Sequence, residues 1–494
     1  MTTPPPLPSE LEPAPRPVGT PPAGADGARG TWRTPFAWIA LAAVALFMIG
    51  LQTFSPDPAP QPTTAATPTP AAPIEPEHDQ TVMLKIVGKY AVGVKLLGAS
   101  TPALAQGGTM NQLVGTIEDQ AHTPVEKIRA AMLSAEIAEP DAALAQAEKL
   151  AADEALDAGL REDAALIVKA LDPAKPTARE ALSADDQSRL IKRHHWFAEV
   201  LLSRGLPETE QARAAILNDG RQALVVVIGA VAIVALAFFI GFILFALAAV
   251  LLITGQVRPA YRADARLDGT TAVHRAALIE SLVLFIISLL VLGLIADLIE
   301  TATGFNVSFG IMWLALPIAL WPRLWGMPRA QWHRALGWHT GRGVITEIGA
   351  GIVGYLAALP IVAIGFATTV TLVLFTDAKP SHPVVEQAAV GGWWNSVSIL
   401  ILACLWAPIC EETFFRGAMY AHCRRWMGPI VSALIIAFVF AAIHPQGWAV
   451  VPSLMSLAVG FALIREWRGS LIAPITAHAI QNGFVMTLNL MLLG

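Results

Sequence analysis

The segment WWNSVSILILACLWAPICEETFFRG (393–417) is apolar for most of its length and then carries three formal charges within six residues. These charges are Glu411, Glu412 and Arg416, and a second apolar run, MGPIVSALIIAFVFAAI (427–443), follows one basic turn later. Two apolar runs separated by a basic turn predict an antiparallel pair of membrane helices. An ionisable group inside a bilayer costs at least about 2.5 kcal/mol, so we expect these charges to serve a function.

Composition extends this interpretation to the whole chain. Of its 494 residues, 54% are hydrophobic and 14% are charged, whereas soluble proteins have about 25% charged residues. Apolar runs long enough to cross a bilayer recur, so the sequence predicts an all-α, polytopic helical membrane protein whose main partner is the lipid bilayer. The net charge of −5 and the lack of a basic arm exclude a nucleic-acid partner. The three cysteines match no zinc or redox spacing and are interpreted as apolar packing residues.

The N-terminal half divides by composition. Residues 1–35 are rich in Pro, Gly and Ala and are predicted to form a disordered cytoplasmic tail. Residues 36–54 are predicted to be a transmembrane anchor, because they begin too far from Met1 for a signal peptide and lack an obvious cleavage site. Residues 55–79 are interpreted as a Pro/Thr/Ala linker. Residues 80–222 show alanine-rich helical periodicity and are predicted to be an extracytoplasmic helical domain.

Two further expectations concern that domain. The adjacent His194 and His195 are predicted to be a surface pair and not metal ligands. Binding of a partner, a substrate or envelope material is the role that the position of the domain favours.

Residues 223–494 are predicted to be a polytopic membrane domain with a functional core at 390–490. The candidate spans are 223–253, 276–298, 305–321, 344–375, 394–425, 428–445, 449–465 and 470–492. The third is short, and a tilted or partly re-entrant course is expected for it. With the anchor, these spans predict about nine transmembrane helices.

Arginine placement supports an alternation of these spans. Basic clusters precede the first span and follow the second, fourth, sixth and eighth. The intervening connections, at 299–304, 376–393 and 446–448, contain one lysine, Lys379, and no arginine. The positive-inside rule therefore predicts a cytoplasmic N-terminus, an extracytoplasmic 55–222 region and, as the host membrane, a plasma (inner) membrane.

The charges of the 410–417 stretch divide into a pair and a single group. Glu412 and Arg416 are four residues apart, so they share a helix face and can pair. Glu411 points about 100° away from Glu412 and gains nothing from Arg416. An unpaired carboxylate in apolar surroundings is a candidate proton acceptor. The alternative is that both glutamates lie at an aqueous interface beside the basic turn.

Helix geometry brings other polar residues to the same depth. Glu411 precedes the turn at Met427 by 16 residues and His444 follows it by 17, which puts both about 25 Å along their helices from that turn. His478 and Asn482 lie one helical turn apart on a third apolar segment. Each residue alone could serve helix packing, but together they predict one buried polar layer.

The segments EETFFR, FAAIH (Phe440 to His444) and HAIQN resemble the three signatures of the CPBP family, which contains CAAX proteases and bacteriocin-processing enzymes. The resemblance covers only about residues 390–490. It implies an intramembrane endopeptidase in which Glu411 is the general base and His444 holds and polarises the water. It also implies that His478 and Asn482 donate to the oxyanion. Glu412, Arg416 and Phe440 are expected to be supporting residues, with Glu412 and Arg416 locking the helix and orienting Glu411.

Several alternatives remain open at the level of sequence. Glu411, His444 and His478 could instead hold zinc in a metalloprotease, although metal-free catalysis without a cofactor is favoured because no HExxH motif is present. Two other classes of function are a non-enzymatic immunity or scaffold protein and a proton-coupled transporter. The transporter is disfavoured because no internal repeat is found. The expected substrate is a membrane-associated or CAAX-like protein or peptide.

Overall fold

The structure is a computed structural model that describes residues 32–54, 79–100, 109–261, 270–304, 307–376, 378 and 392–493. Helices dominate these residues and no strand occurs among them, which confirms the all-α polytopic class. Residues 1–31 of the predicted tail and 55–78 of the predicted linker lie outside the described residues.

The extramembrane part is built from short helices that share one core. They are α2 (Asp79–Ser100), α3 (Thr109–Gln120), α4 (Pro124–Ile137), α5 (Pro140–Ala151), α6 (Ala158–Ala170), α7 (Ala178–Ala181), α8 (Ala184–His194) and α9 (Trp196–Leu202). Local sequence sets several of their starts: Thr123 and Glu126 form a reciprocal capping box before α4, which satisfies backbone N–H groups that the first turn leaves free.

The histidine pair of this domain differs from the prediction. His194 is buried, with 1% of its surface exposed, and its Nε2 lies 3.1 Å from the carboxylate of Asp163 on α6. Only His195 is exposed. The error arose because two adjacent residues at a helix end can face opposite sides: α8 ends at His194, and the chain turns sharply at His195 before α9 begins.

The membrane part contains ten helices in the described residues. They are α1 (Arg33–Phe54), α10 (Gln211–Ile253), α11 (Ala272–Thr303), α12 (Ser308–Leu324), α13 (Arg329–Leu336), α14 (Val344–Thr376), α15 (Trp393–Cys423), α16 (Pro429–Ala442), α17 (Val451–Arg468) and α18 (Ile472–Leu493). Of these, α1, α10, α11, α14, α15 and α17 with its preceding turn are long and apolar enough to cross a membrane.

Six of the nine predicted spans meet these criteria of length and composition in the described residues, and the spans on α12, α16 and α18 do not. Helix α12 has 17 residues and includes a tightly wound stretch, Met312–Leu320, that contains Pro317. Helix α16 has 14 residues and is about 21 Å long, which is shorter than a hydrocarbon core of about 30 Å. Helix α18 is long enough but carries polar residues along its length.

Helix α10 joins the two parts of the molecule. It runs without interruption for 43 residues, so the boundary predicted at residue 222 falls inside one helix. Near its start, α10 lies against α2 at Gly220 and Gly93, where an added Cβ on Gly93 would come within 2.3 Å of the Gly220 carbonyl oxygen. Glycine is required at this crossing because the two backbones are in direct contact.

The basic turns gather at one end of the membrane helices. Arg424 at the end of α15 pairs with Glu466 on α17 at 2.9 Å, and Arg468 pairs with Glu347 on α14 at 2.7 Å. The backbone N–H of Tyr261, from the connection between α10 and α11, donates to the Glu466 carbonyl. These contacts bring together the segments that the arginine alternation assigns to one side of the membrane.

Candidate active site

Helix α15, which carries the 410–417 stretch, departs from regular α-helical geometry. Its turns widen to i→i+5 hydrogen bonding over Leu402–Trp406 and again over Glu412–Met419. Pro408 lies between these stretches and lacks an N–H, so one regular backbone hydrogen bond is missing there. Widened turns are frequent at functional sites because they redirect side chains. Glu411 and Glu412 stand at the start of the second widened turn.

The predicted pairing of Glu412 with Arg416 is present. Arg416 Nη1 donates to Glu412 Oε1 at 3.0 Å, and both side chains are fully buried. Arg416 Nη2 also donates to the carbonyl of Ala458 on α17. The same Glu412 oxygen accepts a 2.9 Å hydrogen bond from His478 Nδ1 on α18. Glu412 therefore joins α15 to α18, a contact that sequence spacing did not predict.

Glu411 lies between the two histidines. Its Oε2 is 3.9 Å from His444 Nε2 and 3.8 Å from His478 Nε2. Among the residues that the structure describes, that oxygen has no hydrogen-bond partner, although 16% of the side chain is exposed. Separations of this size are too long for direct hydrogen bonds and leave room for one bridging water. The structure thus brings together three of the four predicted catalytic side chains.

Hydrogen bonds fix the orientation of both imidazole rings. His444 lies just beyond the end of α16, and its Nδ1 contacts the Phe440 carbonyl at 2.5 Å. A carbonyl only accepts, so this nitrogen carries a proton. His478 Nδ1 likewise faces the carboxylate of Glu412. Both Nε2 atoms are consequently directed toward Glu411.

Asn482 has a different partner. Its amide nitrogen donates to the carbonyl of Ala403 on α15 at 2.8 Å. Within the described part of the chain, no hydrogen bond joins it to Glu411, His444 or His478. It shares a face of α18 with His478, one turn away, and it lies beside the first widened turn of α15.

Aromatic rings enclose the cluster. The ring of Phe461 on α17 is stacked on His478 with centroids 5.0 Å apart, and the ring of Phe440 lies 4.2 Å from that of His444. The Arg416 guanidinium lies over both rings, 4.7 Å from Phe440 and 5.3 Å from Phe461. Phe440 was among the predicted supporting residues. Phe461 was missed, and its only sequence signal is its place in an apolar run.

Within the part of the chain that the structure describes, no group of three or more His, Cys, Asp or Glu side chains is arranged to hold a metal ion. The zinc alternative named Glu411, His444 and His478, and Glu411 Oε2 lies 3.9 Å from His444 Nε2 and 3.8 Å from His478 Nε2. Ligand atoms around a tetrahedral zinc with bonds of about 2.05 Å are about 3.3 Å apart. The observed separations therefore favour a water molecule over a metal.

Comparison with known proteins places this cluster in a family context. Residues 393–484 match the family model described as type II CAAX prenyl endopeptidase Rce1-like. This confirms the resemblance for that segment, which includes all three signatures. A protein of Bacillus subtilis (strain 168), "Uncharacterized protein YpbD", is 28% identical over 89 residues. That match covers 17% of this chain and 43% of the length of the relative. No solved structure matches the chain.

Proposed function

We propose that this protein is an intramembrane endopeptidase of the CAAX-protease type that hydrolyses a peptide bond in a membrane-associated protein. The observation that carries the proposal is the position of Glu411 Oε2, within 3.9 Å of the Nε2 atoms of two histidines from other segments. The match of residues 393–484 to an endopeptidase family supports the same reaction.

In the proposed reaction, a water molecule occupies the space between Glu411, His444 and His478. His444 carries its proton on Nδ1, so its Nε2 accepts one hydrogen of the water. Glu411 accepts the other hydrogen as the water oxygen attacks the scissile carbonyl carbon. A tetrahedral intermediate with one negatively charged oxygen results. Glu411 then gives the proton to the amide nitrogen, the C–N bond breaks, and the carboxylate is regenerated.

His478 and Asn482 are assigned to stabilisation of the oxyanion. Donation from His478 Nε2 requires a second ring proton, because Nδ1 already donates to Glu412. This role therefore belongs to the imidazolium form, which faces the carboxylates of Glu411 and Glu412. Asn482 uses one amide hydrogen on Ala403 and has a second to offer. Its contribution requires substrate to approach α18 on the face it shares with His478.

The hydrogen bonds of the supporting residues Glu412 and Arg416 lead to His478, and among the described residues none of them joins Glu411. Arg416 pairs with Glu412 and fixes its position, and Glu412 in turn orients His478. This differs from the expectation that Glu412 and Arg416 orient Glu411. It assigns the second glutamate of the signature to the oxyanion side of the site.

The proposed setting is the plasma (inner) membrane, with the N-terminus in the cytoplasm. The contacts of Arg424 and Arg468 at one end of the helix bundle support a common cytoplasmic side. The α2–α9 helices then lie outside. The proposed partners are lipid and a membrane-associated protein or peptide substrate, because the cluster lies on helices of the membrane part.

Membrane proteomics of cells with the wild-type chain or Glu411→Gln tests this function. We expect precursors that are shortened in the wild type to persist in the variant, because glutamine keeps the shape of glutamate but cannot accept the proton. Glu300→Gln is the matched control, since Glu300 is an exposed residue at the end of α11, and it should behave as wild type. Normal processing in Glu411→Gln cells would reject the proposal and favour a non-enzymatic role of the polar layer.

A further inference from the structure

We propose that Arg465 is a positioning residue for the active site and that it acts through the backbone of Arg416. This inference rests on the proposed function. Arg465 lies on α17, one turn beyond Phe461, and it belongs to none of the three signatures. It is fully buried, and a buried guanidinium is stable only if its donors are satisfied.

The donors of Arg465 reach three separate segments. Its Nε donates to the carbonyl of Arg416 at 3.0 Å, and one Nη donates to the carbonyl of Gly469 in the turn between α17 and α18. The other Nη lies 3.4 Å from the carbonyl of Ala335 near the end of α13. The face of Tyr261 covers the guanidinium at 5.1 Å. One side chain thus joins α15, which carries Glu411, and the turn that leads into α18 to the end of α13.

The contact with Arg416 leads directly to the proposed oxyanion site. Arg465 holds the Arg416 backbone, the Arg416 side chain donates to Glu412 at 3.0 Å, and Glu412 accepts from His478 at 2.9 Å. Arg416 also lies in the widened turn Glu412–Met419. Such turns are rare because they are less stable than regular helix. A charged donor on a carbonyl of that turn stabilises the geometry that sets the position of Glu412.

The α13 segment is shaped to fit around this guanidinium. Gly337 follows α13 with φ +85°, and a Cβ there would lie 2.4 Å from Arg465 Nη2. Its carbonyl accepts the backbone N–H of Leu471 at the start of α18. On the other side, an added Cβ on Gly417 would meet the Leu336 carbonyl oxygen at 2.9 Å. Residues 329–343 lie outside the family match at 393–484. The segment that packs against Arg465 therefore belongs to a part of the chain that the family model does not cover.

Lysine cannot reproduce these contacts. An ammonium group places its three donors on one atom, whereas the guanidinium spreads its donors over a planar fork. Arg465→Lys keeps the charge but loses the simultaneous reach to the three carbonyls. Arg468→Lys is the matched control, because Arg468 lies one turn further along the same helix and pairs with Glu347, away from Arg416.

The first test is hydrogen exchange of the full-length protein in detergent, followed by mass spectrometry, with no substrate added. We expect faster exchange in the peptide covering residues 410–423 for Arg465→Lys and unchanged exchange for Arg468→Lys. Gly337→Ala should also increase exchange in this peptide, because the added methyl group would displace the Arg465 guanidinium. This variant provides the same test if Arg465→Lys does not fold. Wild-type exchange in this peptide for a folded Arg465→Lys or Gly337→Ala protein would overturn the inference.

The second test uses a substrate peptide identified by the proteomic comparison. We expect kcat per folded molecule to fall by about tenfold or more in Arg465→Lys while KM changes little, since a displaced His478 weakens transition-state stabilisation more than binding. A purely structural role predicts less folded protein with normal kcat, which would also overturn the inference. If the wild type cleaves nothing, the proposed function fails, but the exchange experiment still tests the positioning contact.

Discussion

Glu412 Oε1 accepts hydrogen bonds from both Arg416 Nη1 and His478 Nδ1, at 3.0 and 2.9 Å. The two adjacent glutamates of the signature consequently have different environments. Within the described residues, each glutamate has one oxygen without a hydrogen-bond partner. Glu412 is fully buried, however, with its other oxygen between two donors, whereas Glu411 is partly exposed. Glu412, which is buried and paired, holds helices together, whereas Glu411, which faces two imidazoles, is available for reaction. The pair therefore predicts opposite consequences for the same substitution at neighbouring positions.

Glu412→Gln should destabilise the protein, and Glu411→Gln should not. Removing the charge of Glu412 leaves the Arg416 guanidinium buried without its counterion, which costs about 3–5 kcal/mol. Glu411 makes no such pair, so its amide variant should melt near the wild-type temperature while losing about 100-fold or more of the cleavage rate. Thermal unfolding in detergent, measured beside the cleavage rate, separates the two. A Glu411→Gln protein that melts as low as Glu412→Gln would contradict this division of roles.

Chelators should leave the reaction unchanged. Glu411 Oε2 lies 3.8–3.9 Å from the Nε2 atoms of His444 and His478, and these separations are wider than the edges of a tetrahedral zinc site, about 3.3 Å. We expect cleavage by purified protein to persist after incubation with 1,10-phenanthroline and dialysis. A non-chelating phenanthroline isomer controls for effects on the detergent micelle. Loss of activity that added zinc restores, with no loss in the isomer control, would establish the zinc alternative instead.

Local spacing predicted the parts of this site that depend on one helix. The Glu412–Arg416 pair follows from two residues four positions apart, and widening of the turn leaves that pair intact. Contacts between segments were predicted less completely. Helix rise predicted that Glu411 and His444 lie at the same depth. The hydrogen bond between Glu412 and His478 could not be predicted in this way, because it depends on the rotation of α18 about its axis. The hydrogen bond from Asn482 to Ala403 depends on that rotation as well. Arg465 and Phe461 carry no motif, so only the packed structure identifies them.

The extramembrane helices should lose stability as the pH falls from about 7.5 to 5.5. Burial lowers the pKa of His194 below its usual 6.5, and the hydrogen bond and charge of Asp163 only partly oppose this effect, while Arg129 and Arg193 add to it. The unfolded chain therefore binds a proton at His194 that the folded chain resists. Stability conferred by the neutral ring is complete above about pH 6.5 and declines below it, with a slope of at most about 1.4 kcal/mol per pH unit.

Hydrogen exchange of peptides from Ala158–Ala170, corrected for the intrinsic pH dependence of exchange, measures this loss in the full-length protein. His194→Gln should flatten the pH dependence in this range. Glu136 does not obscure the result: burial would raise its pKa, but its hydrogen bond with Arg213 and the charge of Lys95 hold the pKa below its usual value of 4.5. Equal pH slopes in His194→Gln and wild type would show that another group titrates.

His195→Gly should stabilise the same helices. His195 has φ +47° and ψ −126°, a backbone conformation that is strained by about 1–3 kcal/mol for a residue with a Cβ and is readily adopted by glycine. Glycine also makes the unfolded chain more flexible, at a cost of about 0.4–1 kcal/mol, so we expect a net gain of about 1 kcal/mol. The side chain of His195 is exposed, so its removal loses little buried surface.

His195→Ala is the matched control, because it removes the imidazole but keeps the strain, and it should leave hydrogen exchange of the Trp196–Leu202 helix unchanged. Equal stabilisation by alanine and glycine would place the strain in the imidazole contacts and not in the backbone.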